Sequence, residues 1–293
     1  MKTRKCISFI IILTLCFLMC GAGVAAKSTP KIYTPENGKI TYSGGPAKLD
    51  VSNISEGYFI ANYSGKVKKV KLQVECPNGV TYSYNLHGGD EVFPLSAGNG
   101  TYKIGIYENI SGKRYSKALQ QSVKVNVKNA FGPYLYPNQY VNFNAKSEVV
   151  KTANALGLQA SSDIDLVTSV YNYVTSHIKY DYKKAANIEK NYTSDPDAIL
   201  KGGSGICIDY SAVMASMLRS QGIPTRLEVG YVGKAYHAWI STYIKDSGWV
   251  NGIIRFDGKN WSLMDPTFGA NSNQEKLKTF IGDGSNYSTK FVY

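Results

Sequence analysis

The sequence predicts an α+β protein: a β-sandwich in the first half, then a second half in which a helix packs on an antiparallel sheet. Three observations predict it. Short alternating or aromatic runs, parted by Gly, Pro, Asn and Ser turns, recur from Ala47 to Val127. Apolar residues then recur at helical spacing from Ser147 to Gln221. Strand-like runs return after Pro224. The 293 residues are enough for two domains with separate cores. A composition that is 43% hydrophobic and 18% charged excludes wholesale disorder. The expected layout is a leader at 1–26, a sandwich domain at 27–130, a linker at 131–146 and a second domain at 147–293.

The leader is a secretory signal by pattern. Lys2, Arg4 and Lys5 form a basic start, Ile7 to Met19 is uncharged and apolar, and Val24-Ala25-Ala26 supplies small residues for cleavage near Ala26. The run is short for a membrane span, so a retained anchor is the lesser reading, and no later stretch is apolar enough to span. A lipoprotein route through Cys20 is disfavoured by the bulky Phe17-Leu18-Met19. The expected location is therefore secreted or extracellular, with no stable membrane insertion after cleavage. Removing 1–26 takes away three basic residues and no acid, so the formal +12 becomes +9. That balance serves solubility first, and it also suits an anionic cell-surface or cell-wall polymer. Nucleic acid is not an expected partner, because no compact basic cluster occurs beyond Lys66-Val67-Lys68-Lys69. Three of the five cysteines leave with the leader, and Cys76 and Cys207 remain. They fall in different expected domains, which favours a free Cys207 over a disulfide.

In the sandwich half, strands are expected at 57–63, 70–76, 80–84, 101–107 and 122–127. Alternation puts Val70, Leu72 and Val74 on one face and Lys71, Gln73 and Glu75 on the other. The phrase Gly98-Asn99-Gly100-Thr101-Tyr102-Lys103-Ile104 resembles the closing strands of secreted immunoglobulin-like modules. Nothing in this half points to chemistry, so its role is open between spacer, wall adaptor and substrate-positioning domain. In the linker, Phe131, Tyr134, Tyr136 and Tyr140 are expected to pack on the second domain.

A first helix is expected from Ser147 to Gly157, and a second from Ser162, with Asp163 and Asp165 at the positive end of its dipole. Leu166, Val167, Val170, Tyr171, Val174 and Ile178 form its core face. Ile178 to Tyr182 reads as an extended exit and Pro196 to Leu200 as a short helical turn. Gly202, Gly203 and Gly205 then let the chain turn sharply before a helix from Cys207 to Gln221, which Gly222-Ile223-Pro224 ends. Val213, Met214, Met217 and Leu218 should face inward. Strands are expected at 225–231, 235–243 and 261–265.

Cys207 thus sits at a helix N-terminus, where the dipole and unpaired N–H groups favour a thiolate and can hold an oxyanion. A lone cysteine there is as well explained by core packing. His237 lies in an apolar strand, and His87 and His177 are the only other imidazoles; His177 reads as a surface or helix-end residue. Asp265 closes the last expected strand before Pro266. Antiparallel pairing of the three strands would bring Asp265 to His237 and His237 to Cys207. A nucleophile, a base and an orienting carboxylate need these side-chain types.

Gly205-Ile206-Cys207-Ile208-Asp209-Tyr210, Tyr236-His237-Ala238-Trp239 and Trp261-Ser262-Leu263-Met264-Asp265-Pro266-Thr267 resemble the transglutaminase-like superfamily, over roughly Ser162 to Ala270. The three triad residues follow in order, at spacings of 30 and 28. The resemblance implies a papain-like α+β core with catalytic Cys207, His237 and Asp265. It implies attack on a carboxamide, a thioester, and passage of the acyl group to an amine or to water. An upstream aromatic side chain, Tyr180 or Tyr182, would help bind the oxyanion. No dense carboxylate loop suggests the calcium that animal members need, so neither cofactor nor metal is expected. The implied substrate is a protein or a cell-wall peptide. A cysteine peptidase of the same core and a non-catalytic adhesion or scaffold protein are the alternatives.

Overall fold

A computed structural model of the chain describes residues 30, 32–189, 191–245, 248–251, 253–256, 261–264 and 286–293. The expected leader lies outside them. The first half holds eight strands: β1 (Thr41–Gly44), β2 (Ala47–Asp50), β3 (Tyr58–Tyr63), β4 (Val70–Glu75), β5 (Thr81–Leu86), β6 (Gly89–Pro94), β7 (Gly100–Ser111) and β8 (Arg114–Val125). They form two four-stranded antiparallel sheets, β1-β2-β3-β6 and β5-β4-β7-β8. Alternation along β4 is as expected: Val70, Leu72 and Val74 are buried, while Lys71, Gln73 and Glu75 are half-buried. Leu49, Phe59 and Phe93 of the first sheet share a core with Leu72, Tyr102 and Ile104 of the second. β1, β2 and β6 do not stand out in the sequence, because Gly, Asp and Pro punctuate runs that only sheet pairing holds extended.

The second half opens with α1 (Glu148–Gln159) and α2 (Asp163–His177). The first runs past Gly157 rather than ending there. Ser162 caps α2 by accepting a hydrogen bond from Asp165 N–H at 3.2 Å. The expected extended exit follows, from Ile178 through β9 (Lys179–Tyr180) to Asp181, and α3 (Tyr182–Ala186) begins at its last residue. Asp181 starts that helix: its carboxylate accepts from Lys184 N–H at 2.8 Å and caps the turn. α4 (Pro196–Gly202), β10 (Ser204–Gly205) and α5 (Cys207–Ser220) come next. Every residue of α5 from Ile208 to Ser220 is buried, not one face alone. The composition allows this, since Ala, Ser and Met leave Asp209 and Arg219 as its only charges.

Strands β11 (Thr225–Val232), β12 (Ala235–Ile244), β13 (Gly248–Asn251), β14 (Ile253–Phe256), β15 (Trp261–Met264) and β16 (Tyr287–Val292) complete the described chain. The sheet against α5 runs β13-β12-β11-β16, antiparallel throughout. β15 pairs with β14 in a separate two-stranded ladder, not with the His237 strand as the sequence suggested. β12 takes β11 and β13 as its neighbours, the strands next to it in the chain on either side.

The two halves meet through aromatic rings. Tyr140 stacks on Tyr293 with centroids 3.9 Å apart, and Tyr82 and Tyr84 of β5 pack edge-on against Tyr293 at 5.6 and 6.0 Å. Ser96 Oγ donates to Val292 O at 2.7 Å. Phe131 and Tyr134 pack on Tyr243 and Trp249, as expected of the linker. Tyr136 instead lies against Tyr33 and Tyr58 of the first half.

Candidate active site

The glycine-rich stretch is built to deliver Cys207. Gly203 ends α4 at φ +63, a left-handed conformation that a side chain disfavours, and its N–H donates to Ile199 O at 2.9 Å. Gly205 has no room for a side chain: a Cβ there would lie 2.8 Å from that of Asp209. β10 pairs in parallel with β9, so Gly205 sits beside Tyr180, and Asp181 N–H donates to Gly205 O at 2.9 Å. Ile206 is the extended N-cap, and Cys207 is the first helical residue, half-buried and free of any disulfide. Its N–H has no intrahelical acceptor, as at any helix start.

A buried carboxylate braces this corner. Asp209 is fully buried at the third position of α5, where it accepts from Ile206 N–H at 2.9 Å. That is half of a capping box; the reciprocal bond is absent because isoleucine has no side-chain oxygen. Lys184 Nζ of α3 lies 2.6 Å from Asp209 Oδ2, and Tyr192 OH donates to Oδ1 at 2.8 Å. Burial alone would lower the Lys184 pKa, but its bonds to Asp209 and Tyr192 outweigh burial and raise it. Sequence reading missed this network. Asp209 was visible within the motif, but Lys184 is 25 residues away and no local period pairs the two.

His237 lies on β12, 7% exposed, directly opposite Gly230 of β11. Its ring stacks on Trp239 with centroids 6.3 Å apart. Gly230 is required there: a Cβ would meet Ser288 O of β16 at 2.0 Å. The helix start and the strand converge on one cavity of about 580 Å³, lined by both Cys207 and His237. Tyr180 also lines it; Tyr182 does not, and is 70% exposed. The rest of the wall is mostly aromatic and aliphatic, with Tyr236, Ile188 and Phe291 prominent and Glu189 as its one acid among the described residues. His177 is exposed at the end of α2 and meets Leu200 O at 3.0 Å, away from the cavity. Asp265 lies outside the described residues. Cys76 is buried in the sandwich core, and burial pushes its thiol up to about 12.

Residues 150–252 match the family model of the transglutaminase-like superfamily. The chain is 27% identical over 154 residues to the uncharacterized protein YebA of Bacillus subtilis (strain 168), covering 45% of this chain and 21% of YebA. It is 23% identical over 205 residues to the kyphoscoliosis peptidase of Homo sapiens, covering 55% of this chain and 29% of that protein. The chain therefore spans less than a third of the length of either relative. Among solved structures, red sea bream transglutaminase aligns over 85% of this chain and 51% of its own, at 11% identity and a TM-score of 0.33. A likeness at that score carries no argument. The family match therefore gives residues 150–252 a transglutaminase-like character, over about a third of the chain.

Proposed function

We propose that this chain is a secreted, cysteine-dependent enzyme that acts on polypeptide amides through a thioester on Cys207. The observation that carries the reading is the convergence of Cys207 and His237 on one cavity from a helix start and a strand. The Cys207 thiolate attacks a carboxamide carbon, and the oxyanion faces the first N–H groups of α5 and the Tyr180 hydroxyl. The C–N bond breaks, and the leaving amine or ammonia takes the proton that the His237 imidazolium carries. Water or a second amine then attacks the thioester. His237 accepts its proton, and the thiolate is released. Asp265 is assigned the task of orienting His237. The two sheets of the first half are read as an immunoglobulin-like module.

The test uses dimethylated casein with a fluorescent primary amine, followed by mass spectrometry. Amine incorporation assigns acyl transfer; water addition or chain cleavage assigns hydrolysis. Cys207→Ala is expected to abolish either product while leaving the unfolding midpoint unchanged. Full turnover by that variant rules the reading out.

A further inference from the structure

The cavity that holds Cys207 is walled on one side by the first half of the chain. Thr81 and Ser83 of β5 line it together with Cys207 and His237. Among the described residues β5 is an edge strand, with β4 on one side only. In an antiparallel ladder, alternate residues turn their N–H and C=O toward the partner, and those between turn them outward. Two contacts fix which are which. Val80 O accepts from Cys76 N–H at 2.8 Å, so the even-numbered residues face β4. Asn85 O instead accepts from the Gln139 side chain at 2.7 Å, so the odd-numbered residues face away. Thr81 and Ser83 therefore present backbone donors and acceptors along the cavity.

An uncovered edge is a ready template for another strand, and proteins usually block it with Lys, Pro, a bulge or a covering segment. Here Gln139 covers the edge at Asn85, beyond the cavity. At Thr81 and Ser83 the edge carries no charge and no proline, and among the described residues no strand pairs with it. The side chains of Tyr82 and Tyr84 turn the other way and lock β5 against Tyr293, so the edge is held in place.

We propose that the substrate is an extended polypeptide segment that adds to β5 as a further strand, with its backbone hydrogen-bonded to Thr81 and Ser83 and its reactive amide carried to Cys207. This rests on the thiol chemistry proposed above and makes the first half part of the substrate site. Main-chain pairing supplies affinity, and alternate substrate side chains enter the aromatic cavity. A small free amide, lacking a strand to pair, is a poor substrate.

The test is alkylation of Cys207 in the purified chain by a six-residue Ala/Thr peptide chloromethyl ketone. Two further peptides are N-methylated at alternate backbone nitrogens, one in each phase. Every rate is normalised to the iodoacetamide rate of the same protein. Methylation in one phase should slow alkylation about five- to tenfold for each backbone hydrogen bond lost, and in the other phase hardly at all. Ser83→Pro removes an outward N–H at an edge position, where proline is tolerated. It should slow the unmethylated peptide by a similar factor and leave no further loss for the sensitive methylated one. Equal effects of the two phases overturn the proposal. So does an unchanged peptide rate in a folded Ser83→Pro. If that variant does not fold, the peptide phases decide alone. A concentration-dependent dimer that Ser83→Pro abolishes, with no peptide effect, assigns the edge to a second copy and also overturns it. Failure of iodoacetamide to label Cys207 removes the thiol chemistry and this proposal together; labelling without a phase effect removes only this one.

Discussion

Asp209 is the residue on which the Cys207 corner depends. Its carboxylate is fully buried and holds the N-cap N–H, the Lys184 ammonium and the Tyr192 hydroxyl at once. Asp209→Asn keeps the shape but strands the Lys184 charge. It should cost about 3 kcal/mol, read as a shifted urea midpoint with an unchanged slope. Alkylation of Cys207 should slow as well, because the helix start loses its brace. The two cysteines should also part cleanly. Burial holds the Cys76 thiol protonated far above neutral pH, so iodoacetamide at pH 7.5 should label Cys207 and spare Cys76 until the chain is unfolded. Peptide mapping of the labelled chain checks this. At this scale the sequence showed Cys207 and His237 by their residue types and local elements. It did not show Lys184 or Tyr192, whose roles come from the folding back of α3 and its following loop onto α5.

At the scale of elements, α5 is the pivot, and Arg219 fixes its far end. The buried guanidinium donates to three backbone oxygens: Thr225 O at 2.8 Å, Tyr136 O at 2.8 Å and Tyr293 O at 2.7 Å. These lie on β11, on the linker and after β16, so one side chain ties the helix to three other parts of the chain. Arg219→Met leaves three acceptors without that donor and should destabilise by about 3 kcal/mol or more, measured by urea unfolding. Gly230→Ala should be comparably damaging, because Ser288 O stands 2.0 Å from where its Cβ would be and β16 must give way. The helices and most of the longer strands were legible, since amphipathic spacing and caps are local. The partner of each strand was not. β16 lies 55 residues after the end of β11 yet pairs with it, and β15 turns to β14 rather than to β12.

At the scale of the molecule, the aromatic contact between the halves should make them unfold together. Tyr82, Tyr84, Tyr140 and Tyr293 all have raised pKa values, with burial as the first cause in each. A phenol whose folded pKa exceeds its unfolded value of 10.0 favours the fold fully below that pH. The contribution is lost as pH rises toward the folded value, where the unfolded chain ionises first. Lys184, raised above its ordinary 10.5, loses its contribution in the same direction. Stability should therefore fall steeply above pH 10. Absorbance near 295 nm should show a set of tyrosines that ionise only as circular dichroism records unfolding. Thermal melts at neutral pH should give one transition by both near- and far-ultraviolet signals, whereas separate transitions would mean that the halves are independent.

The sequence by itself determined the α+β order, the helix that begins at Cys207, the strand that holds His237 and the resemblance to the transglutaminase-like superfamily, which the family match over residues 150–252 supports. These follow from spacing, caps and residue types, which act over a few positions of the chain. Only the tertiary structure decided which strands pair, that Tyr180 rather than Tyr182 faces the cavity, and that Asp209 is neutralised by Lys184. It also decided that Thr81 and Ser83 of the first half stand in the wall of the cavity that Cys207 and His237 line. Those outcomes depend on contacts between residues far apart in the chain, fixed by burial and pairing that no local pattern records.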